Sequence, residues 1–127
     1  GAVAVEPYAL QPGTEGVCDD LVAALPDVVD DAVRRDVSPP SPGVAVWGQP
    51  PIILRCGVLE PAGIDPTQAV LDVAEVGWRA VPGDGGTFFF TADRVAVIEV
   101  SVPTDYAPES ATLVDLASAV SGAVPPT

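Results

Sequence analysis

The stretch Trp47–Gly57, WGQPPIILRCG, gathers an indole, a guanidinium and a thiol, the side chains of this sequence best suited to binding chemistry. A guanidinium can clamp a carboxylate or phosphate through two parallel hydrogen bonds, so Arg55 is a candidate anion ligand. It can equally pair with a carboxylate of its own chain, for which Glu99 is a candidate. Such a pair, if exposed, holds Arg55→Ala to a cost of about 1 kcal/mol or less. Trp47 and Trp78 could stack on a ligand, although an indole on a strand more often fills a core. The run Phe88–Phe90 places aromatic rings on both faces of one strand. Trp47, Ile53, Arg55 and Phe89 form the candidate binding set.

Other chemistries are closed by absent residues. The chain has no His and no Lys, which removes imidazole bases, Ser-His-Asp triads, His metal ligands and Schiff-base lysines. A pair of carboxylates could still perform hydrolysis of the glycosidase type, given a set separation. Asp19, Asp20, Asp27, Asp30 and Asp31 lack the loop spacing and central glycine of a calcium site and read as a solvated helix face. No metal and no cofactor are expected.

The elements that must position these residues follow from hydrophobic periodicity. Cys18, Leu21, Val22, Leu25, Val28, Val29, Ala32 and Val33 recur at three- and four-residue steps, which predicts a helix from Val17 to Arg35, kinked or restarted at Pro26. Asp19 and Asp20 then open it and Arg34 and Arg35 close it. Strands are predicted at Val44–Gly48 and Ile52–Val58. The second places Ile52, Leu54, Cys56 and Val58 on one face and Ile53, Arg55 and Leu59 on the other. PAGIDPTQAVLDV predicts a turn and a short helix from Pro66 to Val73 with Asp65 as N-cap. Val76–Val81 and Thr87–Thr91 form a hairpin around PGDGG. Val95–Val102 is a strand with Ala96, Ile98, Val100 and Val102 on one side and Glu99 and Ser101 on the other. ESATLVDLASAVSG is a final helix stopped by Gly122. Residues 1–16 read as an extended lead-in.

The expected fold is α+β in two layers: an antiparallel sheet of four to five strands, with two main helices on one face. Nothing in the sequence is left over to cover the other face. Cys18 lies on a helical stripe and Cys56 on an apolar strand face. If those surfaces pack together, the sulfurs meet and a disulfide closes; otherwise both are buried thiols.

With 127 residues and 48% hydrophobic residues, the chain is one domain, 1–127. Its formal net charge of −13 repels phosphate backbones and anionic lipid, so no nucleic-acid partner is expected. No stretch is long and apolar enough to span a bilayer, so any membrane anchor is expected upstream of Gly1.

CDDLVAALPDVV, WGQPPIILRCGV and VPTDYAPESATLVDLASAV together resemble the recurrent motifs of an actinobacterial family of small membrane-anchored or secreted proteins of unknown function, marked by a WGxPPxxLRCG pattern. The resemblance implies an extracytoplasmic domain, a Cys18–Cys56 disulfide and genes beside cell-wall precursor enzymes. The expectation is therefore a membrane-tethered, non-enzymatic module of the cell envelope that binds another envelope protein through its open sheet face. The alternative is a small-molecule or glycan-binding domain with carboxylate-based hydrolase activity.

Overall fold

In the computed structural model, which describes residues 1–61 and 64–127, the period-two strands stand as their burial pattern requires. Ile52, Leu54 and Cys56 of the strand Ile52–Cys56 are fully buried, while Ile53 and Arg55 between them are half-buried. Eight strands follow the chain: β1 (Val28–Val29), β2 (Ala32–Arg35), β3 (Val44–Trp47), β4 (Ile52–Cys56), β5 (Leu71–Val73), β6 (Val76–Gly83), β7 (Gly86–Thr91) and β8 (Ile98–Pro103). They pair antiparallel in the order β1-β2-β3-β4-β8-β7-β6-β5. Two helices, α1 (Glu15–Ala24) and α2 (Ser110–Ala123), pack against each other, and α2 also meets β1, β5 and β6.

The sheet of four to five strands is therefore corrected to eight, and two misread segments account for the difference. The first is the predicted helix from Val17 to Arg35, which stops at Ala24. Leu25 precedes a proline, whose ring disfavours the helical conformation of its predecessor, and takes φ −67°, ψ 142°. Beyond Pro26, Val28–Val29 and Ala32–Arg35 close a hairpin around Asp30 and Asp31, at φ 49° and 62°. Positive φ at both central residues is the two-residue turn that suits strand twist, and Asp tolerates it better than most residues. Arg34 and Arg35 accordingly sit on β2 and not on a last helical turn.

The second is the helix expected from Pro66 to Val73. The Asp65 carboxylate accepts from both the N–H and the hydroxyl of Thr67, which hold it below the usual carboxylate range, and the resulting turn does not propagate. Leu71–Val73 then pairs with β6 across Ala74 and Glu75. Residues 62 and 63 of the expected preceding turn lie outside the described residues. The hairpin at PGDGG forms as expected, with Gly83 opposite Gly86. The last helix runs through Gly122 to Ala123.

The core lies between sheet and helices. Trp47, Ile52, Leu54, Trp78, Ile98 and Val100 meet Leu21, Leu113, Leu116 and Val120, all fully buried. Each aliphatic side chain of this kind contributes about 2 kcal/mol relative to its exposed state. Cys18 on α1 and Cys56 on β4 join in a disulfide with their Cα atoms 5.6 Å apart.

The glycines of WGQPPIILRCG mark close approaches. Gly57, at φ +78°, would bring a Cβ to 2.6 Å from Thr14 Oγ1 and 3.3 Å from Cys18 Sγ. Gly48, at φ +73°, would bring one to 2.8 Å from the Ala32 Cβ. No other residue type meets both demands without displacement.

On the face away from the helices, register aligns two rows of residues. One is Val44, Arg55, Glu99, Phe90 and Arg79; the other is Val46, Ile53, Ser101, Phe88 and Val81. The expectation that the chain leaves this face uncovered is corrected. The extended lead-in crosses it as a strap: Val3 N–H donates to the Asp36 carbonyl at 2.8 Å, and Gln11 N–H to Gly57 at 2.6 Å. Between these pins Val3, Val5 and Tyr8 are half-buried. Over β6 the segment 64–70 lies close, with Gln68 Nε2 donating to the Ala80 carbonyl at 3.0 Å and Arg79 Nη2 to Pro66 at 3.3 Å. No helix among the described residues is long and apolar enough to cross a membrane.

Candidate functional site

Strap and segment 64–70 leave the middle of this outer face as a groove. It has a volume of about 270 Å³, with a floor of Ile53, Arg55, Glu99 and Ser101, residues 4–6 of the strap as one wall and Phe88 as the other. A second, smaller depression of about 100 Å³ shares Phe88 and Ser101 and runs on to Asp84 in the β6–β7 turn.

The polar centre of the floor is a forked ion pair. Arg55 Nε donates to Glu99 Oε1 at 2.7 Å and Nη2 donates to Oε2 at 2.9 Å. Their strands are adjacent and the two residues stand directly opposite in the register, so the pairing follows from the sheet itself. The guanidinium also lies 4.8 Å from the centre of the Tyr8 ring, and the Tyr8 hydroxyl donates to the Cys56 carbonyl at 2.7 Å. The hydrogen bonds to Glu99 raise the Arg55 pKa above its ordinary value despite partial burial. Burial likewise raises the Tyr8 phenol, against the lowering influence of Arg55. Two of the five N–H donors of Arg55, on Nε and Nη2, are thus committed to Glu99, whose carboxylate neutralises the charge that would draw an anion.

The candidate set divides between the two faces. Ile53 and Arg55 meet in the groove. Trp47 is fully buried on the helix side, where its Nε1 donates to the Pro26 carbonyl at 3.0 Å and Arg34 stacks 5.3 Å from its ring. Phe89, 5% exposed, belongs to the same core. The aromatic ring that does reach the groove is Phe88, at 37% exposure. Its signal in the sequence was parity: Phe89 pairs with Ala80 and Val100, core positions, so its neighbour must face outward. Tyr8 was also missed, since nothing local ties it to a strand 48 residues away.

A larger cleft, about 700 Å³, separates α1 from α2 and carries Asp20 and Asp115. Both are exposed, and Asp115 Oδ2 accepts the Asp30 N–H at 2.8 Å, so one carboxylate is tied to the β1–β2 turn. The cleft is otherwise lined by small residues and Pro26, with no aromatic surface to stack a sugar ring among the described residues. Among the described residues no three His, Cys, Asp or Glu side chains group to hold a metal ion.

The ion pair carries a stability prediction that replaces the small cost expected for an exposed one. Glu99 is 7% exposed, and Arg55→Ala would leave its carboxylate nearly buried and unpaired. Loss of one partner of a buried pair costs 3–5 kcal/mol, reduced here because the Arg55 side chain keeps 21% of its surface in water. Arg55→Ala is therefore expected to destabilise by about 2 kcal/mol in urea unfolding. A loss below about 0.5 kcal/mol would mean that the pair is as weak as an ordinary surface one.

The whole chain, residues 1–127, matches a family model described as a protein of unknown function (DUF3515). No curated protein and no solved structure matches it.

Proposed function

Because the chain belongs to this family of unknown function, we propose its role from its own geometry: an extracytoplasmic, membrane-tethered module of the cell envelope that binds another envelope protein on the sheet face opposite the helices. The observation that carries this is the groove in which exposed Phe88 and half-buried Ile53 flank the Arg55–Glu99 pair. Aromatic, aliphatic and arginine side chains on one face are the chemistry of interface centres, where charges are already neutralised and rings supply contact area. The location is supported by the disulfide, which persists in oxidising compartments; the tether rests on the motif resemblance alone.

A binding role without catalysis is supported by composition and by the site. With no His or Lys, acid–base chemistry falls to carboxylates, and the one in the groove floor is held by Arg55. The alternative, a glycan-binding or hydrolytic domain, would use the cleft of Asp20 and Asp115. It is the weaker reading because both carboxylates are exposed and no ring is at hand.

The test is photo-crosslinking in the native envelope, with a benzophenone amino acid at position 88 and, as control, at Val114, an exposed position on α2. A discrete ultraviolet-dependent adduct from position 88 and none from 114 is expected. Absence of any adduct, or the same products from both positions, would overturn the reading.

A further inference from the structure

We infer, building on that reading, that the groove takes an extended segment of its partner in which an apolar side chain is flanked by lysines or arginines. The argument starts from where this chain keeps its own positive charge. Its five cations are all arginines, and none is in an exposed position. Arg34 stacks on Trp47; Arg35 binds the carbonyls of Gly1 and Gly48; Arg55 is held by Glu99. Arg79 donates to the Pro66 carbonyl, and Arg94 to those of Val124 and Glu75. Most of the 18 acidic residues, by contrast, stand exposed. Among the described residues, the surface that an approaching molecule meets is almost purely negative.

The groove repeats this pattern locally. Its apolar middle is Ile53 and the ring of Phe88, and its internal charge is cancelled at Arg55–Glu99. Exposed carboxylates stand on two sides of it: Glu6 on the strap wall, and Asp84 in the depression that continues past Phe88 and Ser101. An apolar side chain seated against Phe88 would remove both surfaces from water. Basic residues on either side of it would lie toward Glu6 and Asp84. The long-range field of a chain at −13 draws such a segment in and turns acidic ones away. The groove lies on a sheet face between the strap and Phe88 and has a volume of only about 270 Å³, which suits an extended chain better than a helix.

The test selects from a phage-displayed library of random linear peptides on the intact protein, in parallel with Phe88→Ala and with a Glu6→Arg/Asp84→Arg double variant. All three positions are exposed, so folding is expected to survive, and circular dichroism verifies it. Selected peptides are expected to carry an apolar residue between lysines or arginines. Their affinity should fall about tenfold in Phe88→Ala, and about tenfold as sodium chloride rises from about 0.05 to about 0.3 M. Phe88-dependent peptides that are acidic or uncharged would overturn the inference while leaving the sheet-face reading standing. Basic peptides retained by Phe88→Ala would overturn it as diffuse charge attraction. No Phe88-dependent selection at all would overturn it outright, and the crosslink from position 88 judges the broader reading separately.

Discussion

Replacing Cys18 and Cys56 together by alanine is expected to destabilise the protein by about 4 kcal/mol and to lower its melting temperature by roughly 15 °C. The cysteines are 38 residues apart, and the bridge forbids the unfolded chain all conformations in which that loop is open. In the chain-entropy account this restriction scales with the logarithm of loop length, which for a loop of this size gives the figure above. The loop includes β1, β2, β3 and β4, which ends at Cys56, so four of the eight strands lie inside it. Cys56 is also fully buried, and its loss removes a core contact beside Leu54. Urea unfolding of the double variant measures the effect, with mass measurement of the unreduced parent verifying the bridge. A change under about 1 kcal/mol would show that packing alone confines α1 to the sheet in the unfolded ensemble as well, contrary to the account given.

Trp47→Ala is expected to be comparably severe, at about 4 kcal/mol, because large aromatic truncations in cores cost 3–5 kcal/mol. The side chain is fully buried, its Nε1 bonds the carbonyl of Pro26, and its ring supports Arg34. Truncation empties the space beneath the β1–β2 hairpin and leaves a carbonyl unpaired where α1 gives way to that hairpin. Trp47→Phe separates the parts: it keeps most of the volume and loses the hydrogen bond, for which about 1–2 kcal/mol is expected. Since Trp47 lies across the sheet from the groove, peptides selected on the intact protein should bind Trp47→Phe with unchanged affinity. A specific loss of binding there, with folding intact, would return Trp47 to the binding surface that its residue type first suggested.

What the sequence made readable depended on how many neighbours shared a signal. β4 and β8 were visible because alternation runs through whole strands, and their relative parity was enough to name Arg55 and Glu99 as potential partners. α2 was visible because Leu113, Leu116, Ala117 and Val120 hold one stripe over two turns. The segment after Ala24 was ambiguous for a physical reason: Val28, Val29, Ala32 and Val33 satisfy helical spacing and a two-strand hairpin equally well. The deciding features were local and few, a proline after Leu25 and a pair of aspartates able to adopt positive φ. β5, at three residues, is too short for any periodicity and exists because β6 offers an edge to pair with. The site divides in the same way. Its floor and the Phe88 wall were legible from strand parity, whereas its other wall comes from the strap, whose place is set by contacts distant in sequence.

The two shortest strands of the sheet are its outermost, β1 with two residues and β5 with three. An antiparallel sheet of eight strands would ordinarily present two rows of unsatisfied N–H and C=O groups on which further copies could polymerise. Here the outermost strands are only two and three residues long, Asp72 places a charge on one of them, and on the stretch of β6 beyond its pairing with β5 the Ala80 carbonyl is taken by Gln68. Like charges on every copy oppose stacking as well, at −13 per molecule. A β-rich protein is thereby protected from fibrous aggregation by the brevity of its borders, and its apolar strands β4 and β8 are kept at the middle of the sheet, where both edges of their backbone are already paired.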